Sequence, residues 1–274
     1  MKRTFILYFL IFFFGKSFAQ SNIRNGELSY WKIWQIREGM FMKTKLLMHF
    51  DTQQSLDLLV YVIPPGAQDS TVIGEKRESV INKEGKVVDK VSLASGPKEA
   101  RAIDNEAMLF KSFRNKQMFS NQVFAEFNSP AKSYVLEDPI PDFGWRITEE
   151  RKSIGSYECI KAVSQPFRGR VYEAWFAPAI PISNGPWKLC GLPGLILEAA
   201  DQSGEVAFVF EKLILNPQES YPVYNAFADN PKQHITWEQY VRMSQEKERK
   251  IEKFINSKGG SITSTQKSEI ERTQ

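Results

Sequence analysis

Arg168, Arg170, Trp187 and Lys188 are the residues of this 274-residue chain best suited by type and spacing to hold a ligand. Arg168 and Arg170 lie two apart, so a strand carrying them presents both on one face. Trp187 and Lys188 follow in a loop. Two guanidiniums and an ammonium bind an anion, and an indole face binds a flat or cationic group. A second reading needs no ligand. The arginines pair with Glu173 or Glu198, while Trp175 and Trp187 fill the core and the neighbouring Gly and Pro shape turns.

Catalytic chemistry has little to build on. The chain has two histidines, His49 in a β-prone run and His234 just before a helix. A Ser–His–Asp set needs a histidine within reach of both partners, and no Gly-x-Ser-x-Gly elbow nominates the serine. Neither histidine is close in sequence to Cys159 or Cys190. The carboxylate pairs Glu137/Asp138 and Glu149/Glu150 read as solvated strand ends. No Cys-x-x-Cys, His-x-x-x-His, EF-hand loop or Gly-rich phosphate loop occurs, so no metal or cofactor is expected. Cationic and acidic residues are interspersed, which gives no reason to expect nucleic acid.

The elements that would position these residues are mostly strands. Gly26–Ile36 is rich in Tyr, Trp and Ile. Thr44–Phe50 and Ser55–Ile63 flank Asp51-Thr52-Gln53-Gln54 as an antiparallel hairpin. A smaller hairpin is expected around Asn82–Lys86. Aromatic residues from Phe110 to Tyr134 point to a core, and Glu137–Asp142 reads as an extended connection because of its prolines. Trp145–Glu149, Tyr157–Ser164, Arg170–Phe176, Leu195–Ala200 and Val206–Leu215 read as strands joined by polar turns. Thr236 followed by Trp237-Glu238-Gln239 is a capping box that opens a helix running to about Ser257. Two apolar patches on that helix, Trp237/Tyr240/Val241 and Ile251/Phe254/Ile255, predict docking at both of its ends. The fold class is therefore mainly β: a curved antiparallel sheet or partly open barrel with a C-terminal helix.

The densest run lies at 167–199. Gly191-Leu192-Pro193-Gly194 forms a turn feeding the buried strand of Leu195 and Ile196, and Gly194 is expected at a positive φ. Trp175, Leu192, Leu195 and Ile196 are expected in the core. Residues 191–196 read Gly-Leu-Pro-Gly-Leu-Ile. With Phe167–Arg170, Ser183–Lys188, Ile154–Ala162 and the Trp145 strand, the chain resembles the GLPGLI family of Bacteroidetes-type secreted proteins. The resemblance implies a cell-envelope protein of undefined function. Cys159 falls where that family often carries cysteine and Cys190 where its members vary, which weighs against a bond joining the two. From the residues alone the pair stays open: a disulfide worth roughly 3–4 kcal/mol, or two buried thiols.

The chain ends set the compartment. Met1-Lys2-Arg3, an apolar run from Phe5 to Phe14, and small Ser17 and Ala19 make residues 1–19 a cleaved signal peptide. The run is half of the roughly 20 residues that a membrane span requires. Removing Lys2, Arg3 and Lys16 lowers the formal net charge from +4 to +1. The expected organisation is residues 1–19 signal, 20–257 one β-rich domain, and 258–274 a disordered tail. Export to the periplasm or beyond follows, without a lipid anchor, since no cysteine lies near the cleavage site. Two functions fit. One is a binding or accessory protein for an envelope partner or apolar ligand. The other is a secreted hydrolase whose catalytic residues are scattered.

Overall fold

The structure, a computed structural model, describes residues 23–37, 40–61, 76–81, 87–92, 101–124, 130–219 and 221–257. The expected signal segment, the 82–86 turn and the tail lie outside them.

Period-two burial builds the sheet. In β1 (Asn25–Arg37) Leu28 and Tyr30 point inward, and in β2 (Met40–Asp51) Leu46, Met48 and Phe50 do so. The expected hairpin joins β2 to β3 (Gln54–Tyr61), with the Asp51 carboxylate accepting the N–H of Gln53 and Gln54 in the turn. The short hairpin β4 (Lys76–Ile81) and β5 (Val87–Ser92) forms a separate two-stranded sheet. β6 (Arg101–Ser112), β7 (Gln117–Phe124) and β8 (Lys132–Pro139) extend the main sheet. β9 (Arg146–Ile154), β10 (Tyr157–Val163), β11 (Tyr172–Ala177), β12 (Leu195–Asp201) and β13 (Val206–Leu215) follow as an antiparallel run. β14 (Gln233–Thr236) adds to β8 in parallel, so Lys132–Pro139 is a strand that the proline-rich reading had made partly a connection.

The twelve strands run in the order β14-β8-β7-β6-β3-β2-β1-β13-β12-β11-β10-β9, with β14 and β9 at the open ends. The chain itself forces this sheet to curl. β8 and β9 are ten strand spacings apart, about 48 Å in a flat sheet. The link from Pro139 to Arg146 can stretch only about 25 Å. The ends of the sheet must therefore bend toward each other, and residues from both halves share one core. The open edge β9 carries Arg146, Glu149, Glu150, Arg151 and Lys152 and an irregular register against β10, features that discourage edge-to-edge pairing.

The helix α1 (Trp237–Ser257) begins at the expected capping box: the Gln239 N–H donates to Thr236 Oγ1, and the Thr236 N–H to Gln239 Oε1. Its first turns dock through Trp237, Tyr240 and Met243 onto Phe124, Tyr134, Leu136 and Ile235. Beyond Ser244 no residue of the helix is fully buried, so the expected docking at both ends holds at the first. No helix among the described residues is long and apolar enough to cross a membrane.

Candidate functional site

Two residue rows cross the inner face of the sheet side by side. One reads Phe50, Ser55, Lys111, Met118, Asp138 and the next Met48, Asp57, Leu109, Ser120, Leu136, over β2, β3, β6, β7 and β8. All ten are buried. Three of the strands thus place two carboxylates and an ammonium in an apolar interior, against which the loop between β11 and β12 is laid.

Lys111 anchors that loop. Its Nζ donates to the backbone carbonyls of Gly185 and Trp187, each at 2.6 Å. Asp57 Oδ2 accepts the Tyr30 hydroxyl at 2.6 Å and the Trp187 N–H at 3.2 Å. The loop folds onto strand starts as well: the Leu195 N–H donates to Ile180 O and the Ile196 N–H to Asn184 O. Gly185 is required by contact, since a Cβ there would lie 2.6 Å from the Ile196 Cβ. Trp187 adopts φ +52°, a strained value for a side-chain-bearing residue, and stacks on Phe208 with ring centroids 5.8 Å apart. Asp57 Oδ1 and Asn184 Nδ2 have no hydrogen-bond partner among the described residues.

Burial dominates the electrostatics. It pushes the Asp57 carboxyl up to about 6, against the pull of Lys111 and the hydrogen bonds from Tyr30 and Trp187. It also lowers Lys111 and raises Tyr30, the latter reinforced by Asp57. Because the folded carboxyl binds its proton more tightly than the unfolded one, Asp57 contributes stability that is complete below about pH 4. That stability is lost as pH rises through about 6, an effect of roughly 3 kcal/mol. Asp57→Asn should flatten this slope in the difference between the two stability–pH curves. Denaturant unfolding from pH ~4 to pH ~7 measures it, and parallel curves would reject the assignment.

The four predicted ligand residues are brought together in part, and each is engaged inside the protein. Phe167 and Arg170 exchange both backbone hydrogen bonds around Arg168-Gly169, whose φ values of +46° and +73° make a tight hairpin turn. That turn sends the two arginines to different places. Arg168 grips Asp138 with both Nη atoms, at 3.0 and 2.7 Å, and its guanidinium lies 3.6 Å from the Trp237 ring centroid. Lys188, buried, donates to Asp138 Oδ2 at 2.7 Å. Burial works against the Asp138 charge, yet the Arg168 hydrogen bonds and the Lys188 and Arg168 charges outweigh it, so its carboxyl is held low. Asp138 is thus a buried hub and not a solvated strand end. Arg170, with 1% of its side chain exposed, pairs with Asp201 at 2.5 Å and Glu205 at 3.0 Å.

Two expectations in the signature region need correction. Gly194 is not at a positive φ; Gly191 is, at +93°. Gly194 is fixed by crowding, because a Cβ there would sit 2.4 Å from Ala177 O. Trp175 is not on the buried side of β11, which presents Tyr172, Ala174 and Phe176 inward; it lies half-buried on the opposite face beneath the Lys152 ammonium at 4.5 Å. Trp175→Ala should accordingly cost about 1–2 kcal/mol, and Tyr172→Ala about 3–5 kcal/mol. Thermal unfolding of the pair decides the order. Leu192, Leu195 and Ile196 are buried as expected, with Pro193 leading into Gly194. The cysteines, whose pairing the sequence left open, are free and buried. Cys159 faces Tyr157 O, Lys152 and Glu198, while Cys190 has Lys111 and Asp142 as its charged neighbours, so the two thiols sit in different surroundings. Burial pushes both up to about 11, which leaves them protonated and unreactive at neutral pH.

A family model described as a protein of unknown function (Porph_ging) matches residues 165–198. The stretch covers the Arg168 turn, the anchored loop and Gly191–Ile196, the centre of the GLPGLI resemblance. No curated protein matches the chain. Among solved structures, PNGF-II in two crystal forms is similar at 15% identity, with TM-scores of 0.45 and 0.47, over 82% of this chain. The chain spans about a third of PNGF-II, 33% and 34% in the two forms. An uncharacterized conserved protein from Thermus thermophilus aligns over 78% of this chain and 91% of its own, at 8% identity and a TM-score of 0.32. Likeness at this level carries no argument about activity.

The histidines stand apart from the nucleophiles. His49 stacks on Tyr221 beside Glu27, and His234 pairs with Glu137 next to Phe119. Neither forms a hydrogen bond to a Ser or Cys among the described residues. No group of three His, Cys, Asp or Glu side chains among the described residues could hold a metal ion. Sequence reasoning missed Asp57 and Lys111. Their strand neighbours Leu56, Leu58 and Phe110 face outward onto a second apolar cluster, so both faces of β3 and β6 are covered. A strand covered on both faces gives no alternation from which an inward charge could be read.

Proposed function

We propose that this chain is an exported binding or accessory protein of the cell envelope, acting on an envelope partner or an apolar ligand. One observation carries the reading: the segment matching the family model uses its Arg168, Arg170 and Lys188 charges to tie β8, the β11–β12 loop, the β12–β13 turn and α1 together. Such a segment makes a rigid support whose charges are engaged within the protein, and a rigid support can hold a binding surface in place. The contrasting hydrolase reading requires a base beside a nucleophile, whereas both histidines face carboxylates and rings. Recovery of the tagged protein from the native envelope, followed by mass spectrometry of bound protein and lipid, should return a defined companion. Ester, peptide or glycoside hydrolysis that disappears in His49→Ala or His234→Ala would replace this reading with the hydrolase. Export is checked by sequencing the mature N-terminus, expected at Gln20; intact Met1 in the cytoplasmic fraction would overturn it.

A further inference from the structure

The inner side of β1, β2 and β13 is closed by Leu28, Tyr30, Leu46, Val206 and Phe208, all buried. Strand alternation sends their neighbours to the outer side, where cross-strand pairs share one face. Three rows lie there side by side. The first holds Lys45, Trp31 and Val209, the second Lys43, Ile33 and Ala207, and the third Phe41 and Gln35. Phe41 is 52% exposed and Val209 38%, while Trp31 and Ile33 are half-buried. An apolar strip thus crosses the outer face from the Phe41 end of β2 to β13.

Lysines border this strip. The Lys43 ammonium lies 3.9 Å from the Trp31 ring centroid and the Lys45 ammonium 5.9 Å. Lys43 is exposed and has no carboxylate partner among the described residues. Lys212, opposite Ser29 on the row beyond Trp31, is exposed as well. Of the nearby acids, Glu211 is engaged by Lys45 at 2.7 Å, and Glu27 lies two rows further along β1, beside His49. The strip therefore carries an excess of positive charge on long aliphatic stems. That pairing of residue types fits a lipid headgroup layer: an indole and a phenyl ring settle at the boundary of headgroup and acyl chain, and lysines reach up to the phosphates. A glycan would need hydrogen-bonding groups around the ring plane of Trp31, and Gln35 supplies the only carboxamide of the three rows.

We propose that the outer face of β1, β2 and β13 around Trp31 docks on an anionic lipid bilayer, with Lys43 leaving the indole for lipid phosphates as Trp31, Phe41 and Val209 meet the headgroup layer. The inference needs no companion protein, so its failure leaves recovery of a companion from the envelope unaffected. Flotation with phosphatidylcholine vesicles, with and without phosphatidylglycerol, tests it. The full chain and the chain from Gln20 onward are both used, because the apolar run at 5–14 would itself partition into lipid, and the shorter chain keeps every described residue. Phosphatidylglycerol should raise the affinity of both chains by about tenfold or more, and added salt should reverse the gain. Lys43→Gln should lose about fivefold on anionic vesicles, and Phe41→Ser about tenfold or more. Both side chains are exposed, so melting curves should match the parent; should Phe41→Ser melt earlier, Lys43→Gln decides. Phe254→Ser, on the exposed part of α1, should bind as the parent does. Equal binding to neutral and anionic vesicles, binding by the full chain alone, unchanged affinity in Lys43→Gln, or an equal loss in Phe254→Ser overturns the inference. So does capture of a soluble acidic polysaccharide with the vesicles left unbound.

Discussion

Arg170→Ala is expected to lower the free energy of unfolding by about 3–5 kcal/mol, among the largest single-residue effects in this protein. Removing the guanidinium leaves the Asp201 and Glu205 carboxylates against each other, Asp201 at 2% exposure. Asp201 also accepts the Val206 N–H and the Ser203 hydroxyl, so the uncompensated charge sits in the β12–β13 turn that starts β13. An arginine in a ligand groove would behave differently, since exposed ion pairs contribute only about 0–1 kcal/mol. Denaturant unfolding separates the two, and a variant within ~1 kcal/mol of the parent would return Arg170 to the list of ligand residues. Arg170→Ala combined with Asp201→Asn should recover part of the loss, because the second change removes the stranded charge.

Gly194→Val should cost at least about 3 kcal/mol, through overlap and not through backbone strain. The expected Cβ position is 2.4 Å from Ala177 O, 2.9 Å from Ala177 C and 3.0 Å from a Phe176 ring carbon. The obstacle is backbone at the end of β11, which cannot move without breaking its pairing to β12. Asparagine distinguishes the causes. It tolerates positive φ better than most residues but still carries a Cβ. Gly194→Asn should be nearly as damaging as Gly194→Val. Gly191→Asn should be milder, since its Cβ would meet nothing closer than the Trp145 ring at 3.6 Å. Melting temperatures in the reverse order would show that the turn, and not the close approach, selects Gly194.

Local chemistry was legible in the sequence where it is self-contained. The Asp51–Gln54 turn and the Thr236–Gln239 capping box each close over four residues. What a residue far away decides could not be read. Trp175 was expected inside because tryptophan usually is, yet the period of β11 gives the inner face to Tyr172, Ala174 and Phe176. Asp57 and Lys111 can face inward because Tyr221, Val223, Ala226 and Phe227 cover their apolar neighbours from outside, and no periodicity announces where those residues land. Arg168 and Lys188 do meet, but on Asp138, which lies at the far end of the strand order and becomes a neighbour only when the sheet curls. The parallel addition of β14 to β8 likewise joins residues about a hundred positions apart, which no local pattern announces.

The position of β1 bears on how the chain reaches this state. β1 sits in the middle of the sheet, with β2 on one side and β13 on the other, and Arg24 meets Asn216 across 192 residues of chain. The strands from β1 to β8 in the main sheet can assemble largely in order as they emerge, but the β1 edge stays unpaired until β13 arrives. High contact order of this kind slows folding, toward the millisecond-to-second range and beyond for a chain of this size. During that interval an incomplete sheet exposes both a long bare edge and the apolar row of Leu28 and Tyr30. Refolding yield should therefore fall steeply with protein concentration, and chains truncated before β13 should aggregate.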